Sequence, residues 1–441
     1  MHFRSLVLSP IFLLLAACQS TGADRSPPPQ ATAPAAAPEQ TAPSAGTTGI
    51  TTPSGATAAP TSPATPPFDD WVSRLKVDAL AAGVTAATFD RAFQGVVPDP
   101  DILAKDSAQP EYTRPVWAYL DTAVSSANVA AGQTALKGNA KTLTEATRPY
   151  GVDPHIVVAI WGIESLFGKN PGDDNVISAL ATLAWGSRRP DVFRQNLIDA
   201  LLILQAGDID AADMRGSWAG AMGQTQFMPA AFRKYAVDGD HDGKRDIWNS
   251  LPDVFASTAN YLKAFGWKTG EPWGAEVKLP KKFDWDLAEI DTTKTVAEWS
   301  AMGVRLVHGG KLPRVASAAS IIAPAGHRGP VFIVFQNFRT LLAYNNSISY
   351  ALAVAHLADR IGGGGEFVAQ WPRDEPPMSL TDKQDLQNRL AAHGLDPGEV
   401  DGVIGPKTRI AIRQFQREIG EVPDGFATLV LLNKLRAAKS S

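Results

Sequence analysis

Asp153-Pro154-His155-Ile156-Val157-Val158-Ala159-Ile160-Trp161-Gly162-Ile163-Glu164-Ser165-Leu166-Phe167-Gly168 is the stretch on which the reading of this chain turns. Asp153 suits a helix N-cap, Pro154 the first turn and Gly168 a C-terminal stop. Between them apolar side chains occupy every face, the pattern of a helix buried all round. Glu164 is its only ionisable residue besides His155 near the start. A carboxylate placed there loses hydration, so its pKa is expected to rise, by several units if burial is complete. That is how a proton donor becomes usable near neutral pH. A structural Glu, hydrogen-bonded to backbone or paired with a hidden Arg, satisfies the same pattern, and this helix alone leaves both readings open.

A second stretch, Gly216-Ser217-Trp218-Ala219-Gly220-Ala221-Met222-Gly223-Gln224-Thr225-Gln226-Phe227-Met228-Pro229, interleaves small residues with polar amides and large apolar groups. Glycine and alanine let a ligand approach the backbone closely. Gln224 and Gln226 can recognise amides and hydroxyls, the groups an N-acetylated sugar offers. Tight helix–helix packing explains the small residues equally well.

Around these two stretches the chain is predicted to be mainly α. Order begins near Phe68, where Asp69, Asp70 and Trp71 open a helical pattern through Leu75 and Ala79, and helix signals run to about Arg360. Strand signals are few, the best being Ile321-Ile322 and Val331 to Phe335. Pro372 to Pro377 reads as a short linker. After it, Leu386 to Leu435 reads as a compact three-helix unit: Asp401-Gly402 leads through Gly405-Pro406 into a helix with Ile412, Phe415 and Ile419 on one face. The Asp-Gly turn recurs at Asp424-Gly425. The expected domains are a catalytic domain over 67–368 and a module over 376–438.

The beginning of the chain is not fold. Arg4 precedes an apolar run from Leu6 to Leu15, too short to span a bilayer as a helix but suited to a secretory signal. Leu15-Ala16-Ala17-Cys18 closes it, and the pattern resembles the bacterial lipobox, which implies a signal peptide over 1–18 and lipidation of Cys18. Cys18 is the only cysteine, so an intramolecular disulfide is excluded. Residues 19–66, nearly all Ala, Pro, Thr, Ser and Gly, read as a disordered tether. Gln19 after the cysteine points to the periplasmic face of the outer membrane, with the lipid as the membrane contact. The 41 basic and 45 acidic side chains leave a net charge of −4 without a long basic run. Nucleic acid is therefore excluded as a partner.

One further cluster has metal-ligand spacing. Asp238, Asp240 and Asp242 sit at the first, third and fifth positions of an EF-hand-like loop (238–253), Gly243 makes its turn and Lys244 would offer a carbonyl. The twelfth position is Asn249 where a bidentate Glu is usual.

The pairing of Ile163-Glu164-Ser165-Leu166-Phe167-Gly168 with Gly216 to Pro229 resembles the membrane-bound lytic murein transglycosylase B family, over about Phe68 to Arg360. The resemblance implies a lysozyme-like helical catalytic domain with Glu164 as the catalytic acid. Ser217 and Gln226 would line the groove, beside Gln224. Asn260-Tyr261, Tyr344-Asn345, Tyr350 and, less distinctively, Tyr119 match positions that hold substrate and flank the acid. It also implies a longer loop whose last acid is Asp253, with Ca2+ in a structural role and no organic cofactor. The implied reaction cleaves the MurNAc–GlcNAc bond of peptidoglycan glycan strands and closes a 1,6-anhydro ring. Most glycosidases need a second carboxylate. None lies in the Glu164 helix or the Gly216 stretch, and assistance by the substrate's own acetamido group removes the need. Asp173 and Asp174 follow soon after Glu164, so a hydrolytic muramidase remains the enzymatic alternative, and a non-catalytic peptidoglycan-binding lipoprotein the other. The C-terminal unit resembles the small peptidoglycan-binding domain of cell-wall hydrolases.

Overall fold

The computed structural model describes residues 65–108 and 114–438; the expected signal peptide, Cys18 and nearly all of the tether lie outside the described residues. What it describes is mainly helical, with three hydrophobic cores: a large helical one, one beneath a small sheet, and one inside the C-terminal unit.

At the centre of the large core runs the helix Pro154–Ser165, with nine of its twelve residues buried. Asp153 caps it by accepting the His155 backbone N–H. It packs on Ile348–Ile361 and Ser126–Gly138, two helices that bring apolar faces to it from distant parts of the chain. Its exit differs from expectation. The chain leaves the helix at Leu166, two residues before Gly168, through three consecutive left-handed residues: Leu166 (φ 51°), Phe167 (φ 60°) and Gly168 (φ 79°). Non-glycine residues seldom adopt this conformation, and two contacts hold it. Ser165 Oγ donates to the Trp161 carbonyl at 3.1 Å and accepts the Gly168 N–H at 2.9 Å. The Phe167 ring folds back over Gly162, where a Cβ would meet it at 2.6 Å, and stands edge-on to Trp161.

The Gly216 stretch is a set of turns, with Met222 bridging Gly216 and Phe227, and it is not a packed helix. A two-stranded ribbon pairs Asp174 with Gly216 and Asn175 with Arg215, which ties this stretch to the loop after the Glu164 helix. Gly216 is needed there because a Cβ would lie 1.9 Å from the Ala221 carbonyl oxygen.

The expected strands occur as Ser320–Ile322 and Val331–Val334, in an antiparallel sheet ordered Arg305–Leu306, Gly274–Lys278, Val331–Val334, Ser320–Ile322. Ala275 pairs with Ile333, and Ile333 with Ile321. The two strands without an apolar run are half-buried or exposed for most of their length, which hides them from a hydrophobicity pattern.

The C-terminal unit has helices Leu380–Ala392, Pro406–Glu418 and Leu429–Ala437 around Leu386, Ile412, Phe415 and Leu432. Ile419 falls past the end of its helix, at the C-cap, and stays exposed, so it does not extend the buried face. The unit is fastened to the body. Glu289 accepts from both Arg409 and Arg413, each at 2.6 Å at its shortest. Arg417 pairs with Asp286 at 2.5 Å, and the buried Asp424 accepts from the His327 backbone N–H. Burial alone would raise the Glu289 carboxyl, but the two guanidinium groups win and hold it below the usual carboxylate range. The stretch read as a linker is itself pinned: Arg373 forks onto Asp121 at 2.6 and 2.8 Å, and Arg328 reaches Glu375 at 3.2 Å.

Candidate active site

Glu164 sits one turn after Trp161 and is 4% exposed. Burial pushes its carboxyl up to about 8, against a weaker opposite pull from Tyr350, whose hydroxyl donates to Glu164 Oε1 at 2.5 Å. Of the groups that shift it, none is another carboxylate. Asp174 lies in the ribbon and Asp173 is exposed beside it. At neutral pH Glu164 therefore carries its proton, and Tyr350 occupies one oxygen while leaving Oε2 to act.

Two further tyrosines, Tyr344 and Tyr119, feel its charge, and a third, Tyr261, packs on Tyr344. The Tyr344 ring lies parallel to Tyr350 with centroids 6.4 Å apart, and its hydroxyl donates to the Thr225 carbonyl at 2.6 Å. Tyr261 packs edge-on to Tyr344 and donates to the Ala343 carbonyl at 2.9 Å. Tyr119 feels the Glu164 charge as well as burial, burial being the larger cause, and both raise its pKa. Asn345, half-buried, is the C-cap of the helix ending at Tyr344. Ser217 is buried, with Oγ accepting the Ala221 N–H at 3.1 Å. Gln226, in the left-handed region at φ 55°, donates through Nε2 to the Pro171 and Gly223 carbonyls at 2.6 and 2.8 Å, while its buried Oε1 has no hydrogen-bond partner. Gln224 differs from the others. Its side chain is engaged at both ends, accepting from Trp161 Nε1 and donating to the Trp248 carbonyl, each at 2.8 Å. The sequence singled out neither Trp161 nor Trp248; only the position of Trp161 one turn before Glu164 hinted at a part for it.

The acidic loop adjoins this network. Carboxylate oxygens of Asp238, Asp240 and Asp253 lie within 4.8 Å of one another. The buried Asp253 accepts backbone N–H groups from Gly239, Asp240 and Asp246 at 2.7, 3.3 and 2.6 Å. Asp242 stands outside this trio and caps the turn by accepting the Lys244 N–H at 2.8 Å.

Among the described residues no helix is long and apolar enough to cross a membrane. The family model of the transglycosylase SLT domain matches residues 67–359, and that of a peptidoglycan-binding domain matches 381–435. The crystal structure of SltB3 from Pseudomonas aeruginosa in complex with NAG-anhNAM-pentapeptide superposes with a TM-score of 0.82 at 53% identity, covering 84% of this chain and 99% of that one. The Escherichia coli lytic transglycosylase Slt35 in complex with calcium gives a TM-score of 0.57 at 26% identity, over 68% of this chain and 93% of that one. Membrane-bound lytic murein transglycosylase B of Escherichia coli K12 is 33% identical over 225 residues, 50% of this chain and 60% of that relative, so the match spans under two thirds of its length.

Proposed function

The chain belongs to the transglycosylase SLT domain family, and we propose that it cleaves the MurNAc–GlcNAc bond of peptidoglycan without adding water. The observation that carries this reading is the buried Glu164, held by Tyr350 and with no second carboxylate among the groups that shift it. The proton on Oε2 passes to the glycosidic oxygen as the C1–O bond breaks, and the oxygen of the 2-acetamido group bonds to C1 in its place. Glu164, now ionised in a site that disfavours its charge, takes the proton from the C6 hydroxyl. O6 then bonds to C1, the acetamido oxygen leaves, and a 1,6-anhydro ring closes. One carboxyl serves both proton transfers, so no second acid is required. Ser217, Gln226, Tyr119, Tyr261, Tyr344 and Asn345 line the groove in this reading, with the unpartnered Gln226 Oε1 offered to a substrate N–H or O–H. Gln224 holds Trp161 in place.

Asp238, Asp240 and Asp253 suit a calcium ion. Their oxygens are hard ligands, and a spread of up to 4.8 Å fits a common centre about 2.3–2.6 Å from each. The ion would offset two of the three converging negative charges and stiffen the loop. The relative Slt35 binds calcium. We place the mature protein at the outer membrane, anchored through a lipid on Cys18, with the C-terminal unit holding peptidoglycan. Digesting purified sacculi and weighing the muropeptides tests the reaction: anhydro-muramic ends without added water are expected, and reducing ends heavier by one water would overturn it in favour of a muramidase.

A further inference from the structure

A pocket of about 340 Å³ lies where the body, the strap at 372–378 and the C-terminal unit meet. Two of its lining groups are buried charges in want of partners. Glu375 is 8% exposed and Arg413 1%, yet Glu375 Oε1 and Arg413 Nε have no hydrogen-bond partner. Glu375 Oε2 meets Arg328 at 3.2 Å, and Arg413 Nη2 meets Glu289 at 2.6 Å. The Asp286 carboxylate stands 4.0 Å from Arg413 Nε, beyond hydrogen-bond reach. A carboxylate and a guanidinium left incomplete in one buried pocket are costly to the fold. A ligand with both an ammonium and a carboxylate group would complete them. The rest of the wall, including Trp117, Met378 and Phe426, is apolar and would take a small aliphatic side chain.

Two residues of the pocket wall lead to the active site. Ser349 lines it and precedes Tyr350, the partner of Glu164. Arg114 lines it too, and its charge is felt by Tyr119. A polymer that passes Glu164 with a peptide hanging from every muramic acid brings peptide to this wall. We infer that the junction pocket binds a peptide stem of peptidoglycan, through a residue that presents both an ammonium and a carboxylate group. The inference rests on the substrate proposed above and adds a second site to it.

The probe is the sugar-free stem L-alanyl-γ-D-glutamyl-diaminopimelyl-D-alanine, titrated calorimetrically into the full chain. It should bind one to one, and acetylating its side-chain amine should weaken it at least tenfold. Glu375→Gln removes the buried charge, and Ala323→Phe fills the pocket from the body side; each should weaken the peptide at least tenfold. Both should leave turnover of peptide-free glycan strands unchanged. No binding to the unaltered protein would overturn the inference, as would equal binding by both variants. If Glu375→Gln melts early, Ala323→Phe alone decides. Peptide binding without glycan turnover would fell the catalytic reading and spare this one.

Discussion

The Tyr350 hydroxyl lies 2.5 Å from Glu164 Oε1, although 186 residues separate the two. The hydroxyl favours the ionised carboxylate while burial disfavours it, and burial is the larger effect. Burial thus keeps the acid protonated at neutral pH, and the hydroxyl fixes which oxygen holds the proton.

Glu164→Gln is expected to abolish activity. One group serves both proton transfers, and general acid–base catalysis is typically worth about 10²–10⁴-fold. Its stability should move the other way. The native carboxyl, near 8, binds a proton more tightly than the unfolded one, near 4.5. Below the lower value both states are protonated and nothing is lost. Between the two the unfolded chain ionises alone, so the unaltered protein loses stability as pH rises, by up to about 1.4 kcal/mol per unit. The variant escapes that loss, so its melting temperature should exceed that of the unaltered protein by a margin that widens from pH 5 to pH 8. A constant margin would mean that Glu164 titrates normally.

The pH dependence of kcat/KM checks the same group kinetically. The acid must be protonated in the free enzyme, so the rate should fall as pH passes about 8. Tyr350→Phe removes the interaction that favours the charged form, so the fall should move to higher pH. The loss of a fixed carboxyl should also cost roughly 10–100-fold in kcat. An unshifted alkaline limb would leave Tyr350 as packing only.

Calcium is expected to raise the melting temperature, and Asp240→Ala to abolish the rise. A ligand that binds only the native state stabilises by about 2.7 kcal/mol at a hundredfold excess over its dissociation constant. Identical scans in calcium and in chelator would reduce the loop to a turn.

Gln224→Ala would strand the buried Trp161 indole N–H, at a cost of about 1–3 kcal/mol, and free the part-buried Trp248 carbonyl. Because Trp161 is on the Glu164 helix, kcat should drop more than KM rises. Comparable changes in substrate affinity alone would instead make Gln224 a direct sugar contact.

Much of this was legible in the sequence because it depends on local pattern. The buried helix declares itself by apolar residues on every face, and Glu164 by being the one acid among them. Asp238 and Asp240 are legible through their spacing. Long-range pairing is not legible in this way: nothing near Gln224 says that its amide is already taken by Trp161, 63 positions earlier. The turn at Leu166 and Phe167 was misplaced because glycine is the usual left-handed residue, whereas here the space above Gly162 selects the conformation. The linker reading of Pro372 to Pro377 followed composition, which carries no information about Asp121 or Arg328.

The clamp of Glu289 on Arg409 and Arg413 bears on how the molecule comes apart. A short sequence stretch joins two units that each own a core, an arrangement usually associated with beads on a string that melt one after the other. Here detaching the smaller unit would strip Glu289 of both its cations and leave Arg413, 1% exposed, without its shortest ion pair. The seam is therefore expected to couple the C-terminal core to those of the body in one cooperative unit. Heating should give a single endotherm, and a chain ended at residue 376 should be less stable throughout the part that remains.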